Sequence, residues 1–483
     1  MRGDNHFGRR PSCLTLYTAS QSVQAPSLIA GKQRSARLLA LHTPIPAPDM
    51  LEFQVRIEEM PRIFRGFSDA VGEASWNKVV RNKKQHSQAN PFLREYYEGE
   101  YRVAFQLAKC SELLTRYGKL PAAELARLHH ACGFAGQTLS ILESLPAKYR
   151  TAFAGRIRGA LKNPDDMRGL LLEIATATHF IRRGNHVLWP EFQAADSPIA
   201  GSTYDLFIED LGSNGLEVEC KSVSDDKGRK FHQEELLALQ QLVKRRLEPL
   251  IKSIKAGVAV ILTVPDRLPK SHKELELLAD RVRDQVLLNE SKVFDDGSNV
   301  RVSDFDIALL KDMPMISNSP AVRAVIEKVT GTRNRNAMII GRPNVGAIAF
   351  VPQSAQDDSV LGAAFETAAD AAKRQLTKTR PGLLILGFNG MEADRLRSVA
   401  EDDFENPQKP TALRIGVSQF LSGESRDHVV GIGFVSRSTL TPQSDGALET
   451  GGSIYSFRKE ESSLWHNDFT NIFGGGHKSS AQI

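Results

Sequence analysis

The sequence predicts an α/β protein: a mixed sheet flanked by helices, with an N-terminal helical region and a C-terminal α/β region. Three observations predict it. Residues 92–160 carry helical periodicity interrupted by Gly and Pro. Beyond about residue 160, helix and strand patterns alternate, as in a sheet covered by helices. A chain of 483 residues holds two or three domains. The expected division is an extension over 1–49, a mainly helical domain over 50–160, a core over 161–295, and an α/β region with a flexible tail over 296–483.

The elements follow in chain order. Residues 1–49 carry Arg2, Arg9, Arg10, Lys32, Arg34 and Arg37 against only Asp4 and Asp49. A targeting peptide has this composition. A disordered extension, with Met50 as the true first residue, is the preferred reading, because Leu51, Phe53, Val55 and Ile57 at once alternate as a strand should. Helices are expected over Tyr101–Tyr117 and Ala122–Leu145, separated by Gly118-Lys119-Leu120-Pro121 and closed by Pro146. His129 and His130 have no acidic or Cys partner at ligand spacing, so packing or solvent exposure is expected of them rather than metal binding.

The segment 166–183 reads as a helix with Asp165 or Asp166 at its start and Arg182, Arg183 and Gly184 at its end. Leu170, Ile174, Ala177 and Ile181 form its apolar stripe. Glu173 falls within the arc of that stripe, where a carboxylate needs a partner. A strand is expected over His186–Trp189. Two more follow, Tyr204–Ile208 and Leu216–Lys221, joined by a turn-rich stretch containing Gly212, Asn214 and Gly215.

These last two strands carry the chemistry. Successive strand residues face opposite sides, so Glu217, Glu219 and Lys221 share one face while Leu216, Val218 and Cys220 share the other. Glu219 and Lys221 then stand roughly 6–7 Å apart along the strand. Pairing the strands brings Asp205 beside Glu219. Two such carboxylates repel, and burying them is costly unless a cation lies between them. Mg²⁺ takes one or two carboxylates and completes its shell with water and phosphate. A bland reading competes: a strand with three charged residues can simply show them to water.

The order helix with Glu173, strand, strand with Asp205, strand with Glu219 and Lys221, then helix, resembles the PD-(D/E)xK, or restriction-endonuclease-like, nuclease superfamily. The resemblance covers about residues 160–265. The family's Asp matches Asp205, its second acidic ligand Glu219, its Lys Lys221, and its frequent helix-borne Glu Glu173. Tyr204 stands where some members have Pro. The resemblance implies a restriction-endonuclease-like core and a metal-dependent nuclease, most plainly an endonuclease acting on DNA. Asp205 and Glu219 would bind Mg²⁺, with Mn²⁺ as a substitute. Lys221 would add positive charge at the phosphate, and Glu173 would support the metal or its water. Some members carry a Gln on the following helix, and Gln233 and Gln240 both suit that place. The rival is a catalytically inactive nucleic-acid-binding or assembly protein on the same fold.

Beyond the motif, a loop is expected over Ser222–Lys230. A helix over Phe231–Lys255 bears Lys244, Arg245, Arg246, Lys252 and Lys255, diluted by Glu234, Glu235 and Glu248. It reads equally as a phosphate-holding face and as a solvated one. Val258–Val264 is expected as a buried strand of the same sheet. Later signals are a helix over 271–289, strands at Ala337–Ile340 and Ala347–Val351, a helix over 362–376 and a strand at Gly382–Phe388. The stretch Phe473–Ser480 is expected to be flexible. Gly341-Arg342-Pro343-Asn344-Val345-Gly346 imitates a GTPase phosphate loop, but Ala347 and Ile348 follow where Lys and Ser or Thr are needed. A tight turn between strands is expected at Gly341–Gly346, not a nucleotide site.

Composition bounds the partners. Hydrophobic content of 41% and charged content of 25% are ordinary for a globular protein. A net charge of +5 permits a nucleic-acid partner without requiring one. Cys13, Cys110, Cys132 and Cys220 are scattered with no Cys-x-x-Cys pair, which argues against structural zinc and suits a reducing cytoplasm. The longest apolar run, Val258–Val264, is of strand length, so no membrane partner is expected. A homo-oligomer stays open.

Overall fold

A computed structural model describes residues 49–473, apart from Ala89, Ala126, Lys255, 312–319, 333–335, 343–344, Gly390, Glu392, 438–440 and 443–446. The extension over 1–48 and the tail from 474 lie outside the described residues. The protein is mixed α/β with mixed sheets. Its strands are β1 (Asp49–Arg56), β2 (Val187–Leu188), β3 (Leu206–Ile208), β4 (Leu216–Val223), β5 (Gly257–Val264), β6 (Lys292–Val293), β7 (Asn299–Phe305), β8 (Met338–Arg342), β9 (Gly346–Ser354), β10 (Gly382–Phe388), β11 (Val429–Arg437), β12 (Thr441–Pro442) and β13 (Ala447–Arg458). One sheet has eight strands in the order β1-β13-β11-β10-β4-β3-β2, with β12 on β13. The other has five, in the order β6-β7-β5-β9-β8.

The described chain divides into two units. The larger comprises 49–88, 97–228 and 359–473; the smaller comprises 90–96 and 229–358. The smaller unit therefore interrupts the chain of the larger one. The larger unit closes over the interruption: Ser359 N donates to Gly228 O at 2.7 Å. Gly228 has φ +76, and a Cβ there would meet Ser359 O at 2.4 Å, so only glycine allows the approach. In the smaller unit the next residues are tied as well, Lys230 N donating to Asp358 Oδ1 at 2.9 Å.

In the larger unit β4 is central. It runs antiparallel to β3 and parallel to β10, with Glu219 beside Leu384 and Lys221 beside Leu386. Leu216, Val218 and Cys220 sit in one core cluster with Leu170, Ile174 and Ala177 of the helix Pro164–Arg182. The same cluster takes in Phe67, Trp76, Phe134, Phe153 and Ile157 from earlier helices. The expected helical domain over 50–160 thus shares its core with the sheet. Each such buried side chain contributes about 1.5–3 kcal/mol relative to exposure. The opposite side is covered by the helix Val360–Arg374, whose Ala364, Ala368, Ala371 and Ala372 pack with Leu384, Leu386 and Val223.

Local signals explain the helix that carries Glu173. Asn163 Oδ1 accepts from Asp165 N at 3.0 Å, Pro164 opens the first turn, and Asp165 and Asp166 complement the helix dipole. Its buried face differs from the expected stripe at one position. Phe180 is fully buried, while Ile181 is 40% exposed. A 3.6-residue period lets either residue end the stripe, and the larger ring takes the core.

Two expectations about connectivity are corrected. Val258–Val264 is strand β5, but it pairs with β7 and β9 in the five-stranded sheet, not with the sheet of β4. The place beside β4 is filled by β10, 159 positions after the end of β4 if counted from Val223 to Gly382. An apolar run marks a buried strand without naming its partner. Correspondingly, residues 359–473 are not a separate C-terminal region; they supply β10, β11 and β13 to the sheet of β4. The expected helix over Ala122–Leu145 is two, Ala122–Leu125 and His129–Ser144. Met338–Arg342 and Gly346–Ser354 form an antiparallel pair, so a strand follows Gly346 rather than a helix.

In the smaller unit the helix is Gln233–Leu247. Arg246 Nε donates to Asp280 Oδ1 at 2.8 Å, so that basic charge is answered locally. Gln240 Nε2 donates to Asn336 O at 2.9 Å. No helix among the described residues is long and apolar enough to cross a membrane.

Register between β3 and β4 is set at Gly215. It has φ +72, and a Cβ would stand 2.1 Å from Phe207 Cζ. Gly215→Ala is expected to cost at least about 1–2 kcal/mol, from left-handed backbone strain alone. Urea unfolding with circular dichroism checks this; an unchanged midpoint would contradict it.

Candidate active site

The pairing of β3 with β4 sets Leu206 opposite Val218 and Ile208 opposite Leu216. One step further in the same register, Asp205 comes opposite Glu219. Asp205 precedes β3 and is pinned there: its Oδ2 accepts from Cys220 N at 2.8 Å. A charged acceptor on a backbone N–H is among the stronger hydrogen bonds.

Glu219 is fully buried, at 0% exposure. Lys221 Nζ stands 2.5 Å from its Oε1. Apart from that ion contact, neither Glu219 oxygen has a hydrogen-bond partner among the described residues. A buried carboxylate with open lone pairs is costly, so a further positive ligand is strongly favoured there. Glu217, two residues earlier on the same face, is also 0% exposed but is satisfied by Thr377, whose N and Oγ1 donate at 2.8 and 2.5 Å. The charged face of β4 is therefore an interior face, which removes the reading that it simply meets water.

Glu173 reaches the same region from its helix, 5% exposed. Arg156 Nη2 donates to both of its oxygens, at 2.7 and 2.6 Å. The other arm of that guanidinium, Nη1, donates to Glu191 Oε1 at 2.7 Å. Arg156 lies on the helix Ala147–Ala160 and Glu191 in the single turn Pro190–Phe192. Two cations thus answer a crowd of acids: Arg156 serves Glu173 and Glu191, and Lys221 serves Glu219.

Electrostatics report the crowding. Burial, reinforced by the charge of Asp205, pushes Glu219 up to about 8 despite Lys221. Burial and Asp205 likewise push Glu173 up to about 8 despite Arg156. Asp205 is raised by burial, with the Cys220 N–H, Lys221 and Arg156 acting against the rise. Lys221 is raised: desolvation opposes its charge, but Glu219 and Asp205 outweigh it. Arg156 follows the same balance with Glu173 and Glu191. Asp205, Glu219, Lys221 and Glu173 are thus gathered into one electrostatic neighbourhood.

The donor set suits a small hard cation. Asp205 and Glu219 offer carboxylate oxygens, and those of Glu219 are buried with Lys221 on Oε1 alone. Two carboxylates are what Mg²⁺ ordinarily takes from protein. No cluster of three or more His, Cys, Asp or Glu stands ready for a metal among the described residues. Glu173, expected as a support for the metal or its water, has both oxygens bonded by Arg156.

No sequence signal marks Arg156 or Glu191 as part of the site. Arg156 is one of several basic residues on its helix, beside Arg150 and Arg158, and nothing in their spacing singles it out. The only available signal was indirect: a Glu within an apolar helix face demands a cation. Comparison with protein-family models, with curated proteins and with solved structures finds no significant match.

A carboxyl raised on folding makes the folded state take up protons, so its contribution falls as pH rises from the ordinary value toward the raised one. For Glu219 that window runs from 4.5 to about 8. Without divalent ions, Glu219→Gln is expected to gain stability relative to the natural chain as pH climbs through the window. Paired thermal melts across pH check this; parallel melting curves would contradict it.

Proposed function

We propose that this chain is a metal-dependent nuclease that hydrolyses phosphodiester bonds, with DNA as its substrate. The observation that carries the reading is the meeting of Asp205 with Glu219, whose open buried oxygens lie beside Lys221. The helix Pro164–Arg182 followed by β2, β3 and β4 supports the restriction-endonuclease-like assignment. In this unit the next helix is Val360–Arg374 and the next strand β10, parallel to β4. DNA as the substrate follows from the resemblance.

Asp205 and Glu219 would hold Mg²⁺ or Mn²⁺. Such an ion, when bound, lowers the pKa of water and offsets charge developing on phosphate oxygens. The chain's own residues do the rest. The Cys220 N–H keeps the Asp205 carboxylate aimed at Glu219. Lys221 would present its ammonium to a non-bridging phosphate oxygen and steady the added charge. A water oxygen forms the new bond to phosphorus and gives up a proton to solvent, the bond to the leaving oxygen breaks, and that oxygen takes up a proton from solvent.

Lys221→Ala and Asp205→Ala are each expected to lower Mn²⁺- or Mg²⁺-dependent cleavage of plasmid and linear DNA by about 10²–10⁴-fold. Retained folding is checked by circular dichroism. Cleavage that survives both substitutions, or its absence in the natural chain, would contradict the reading. In the second case, salt-dependent DNA binding by the natural chain would favour a binding role on the same fold.

A further inference from the structure

We infer that the helix Ala74–His86 is a docking face for the phosphate backbone of duplex DNA, which it meets through Lys78, Arg81 and Lys84. DNA as the partner rests on the nuclease reading; the charge of the helix fixes the place of contact.

From Ala74 to Gln88 the sequence has four cations, Lys78, Arg81, Lys83 and Lys84, and no Asp or Glu. This short stretch carries +4, against a net charge of +5 for the whole chain. The helix dipole accounts for cations in the last turn, Lys83 and Lys84, but not for Lys78 and Arg81 before it. Trp76, Val79 and Val80 are buried, at 0, 8 and 7% exposure, so the apolar stripe of the helix belongs to the core. Lys83 lies toward that side, its Nζ 4.5 Å from the ring centre of Tyr97 and 4.6 Å from that of Tyr101. With 3.6 residues per turn, Lys78, Arg81 and Lys84 fall within an arc of about 120° opposite the stripe. Asn77 and Gln85 fall in the same arc, and all five are exposed.

Other helix cations are answered locally. Lys109 meets Glu112, Arg283 meets Asp284 and Arg374 meets Asp370, each at 2.7 Å. Among the described residues, Lys78, Arg81 and Lys84 have no such ion-pair partner. Lys84 acts on the charge of Glu112, but that carboxylate is already seated on Lys109. Unanswered cations interleaved with amides suit a row of phosphates. Lys and Arg neutralise the charge, and Asn and Gln donate to phosphate and sugar oxygens. An anionic membrane fits this face less well, because a helix lying on a bilayer gives it an apolar side, and here that side is in the core. The helix also begins beside the scaffold of the candidate site. Val71 ends the preceding helix, and its O accepts from Arg158 Nη1 at 3.4 Å. Arg158 stands on the same helix, Ala147–Ala160, as Arg156.

The test is binding of a short fluorescent DNA duplex to the full-length chain in EDTA, read by anisotropy over a series of salt concentrations. EDTA withholds divalent ions, so cleavage does not intervene. Combining Lys78→Gln, Arg81→Gln and Lys84→Gln should shrink the slope of log K against log salt by about 2–3, and each single substitution by about one. Combining Lys328→Gln, Lys373→Gln and Lys409→Gln removes the same charge from exposed positions elsewhere and should leave the slope unchanged. Circular dichroism checks folding; if the first triple variant does not fold, the single variants decide. An unmoved slope in folded variants, an equal fall in the control, or a natural chain that binds no duplex would each overturn the inference. So would dependence on the three cations of binding to phosphatidylserine vesicles but not to DNA. Mn²⁺-dependent cleavage by the natural chain judges the nuclease reading separately. Cleavage with an unmoved slope removes the docking face and keeps the nuclease; a reduced slope without cleavage keeps the docking face and removes the nuclease.

Discussion

The larger unit is organised around a shortage of positive charge in a buried place. Asp205, Glu219 and Glu173 are buried and act on one another electrostatically, and Glu191 adds to their negative charge. Carboxylates that close in an interior raise one another and resist ionisation. Arg156 and Lys221 relieve part of this, unevenly. Arg156 engages both oxygens of Glu173, whereas Lys221 touches only Oε1 of Glu219. Glu173 is clamped by a fixed guanidinium, and Glu219 is touched by a single ammonium at one oxygen.

Long-range topology maintains this arrangement. Glu219 lies on β4, and β4 is held between β3, a hairpin neighbour, and β10, which enters only after the smaller unit has been completed. The joint at Gly228 and Ser359 lets a whole folded unit be inserted without parting the sheet. Chain ends that lie side by side are what insertion requires. The anchoring of Asp205 is shorter in range and depends on the register that Gly215 permits.

The sequence was most legible where a signal was local. Alternation along 216–221 placed Glu219 and Lys221 on one face, the Gly and Asn residues marked the turn, and the capping residues marked the helix bearing Glu173. Pairing Asp205 with Glu219 needed only a hairpin. Burial of the charged face was not legible, because alternation of polar and apolar residues looks the same whether the polar side meets water or a second layer of helix. Nor was the partner of β4: Val258–Val264 and Gly382–Phe388 are equally apolar, and only the fold chooses between them. β11 and β13 lacked a clean signal, with Gly431, Gly433, Gly451 and Gly452 interrupting their patterns. Arg156 was invisible for a related reason. Its meaning lies entirely in what it touches, 17 residues away in Glu173 and 35 away in Glu191.

The central claim is that Asp205 and Glu219 hold an ion that Lys221 yields to. Crystals of the full chain soaked in Mn²⁺, examined by anomalous diffraction, test it most directly. A manganese peak at the two carboxylates is expected, with Lys221 swung away from Glu219 and Arg156 still on Glu173. A soaked crystal with no peak there, and Lys221 still seated on Glu219, would contradict it.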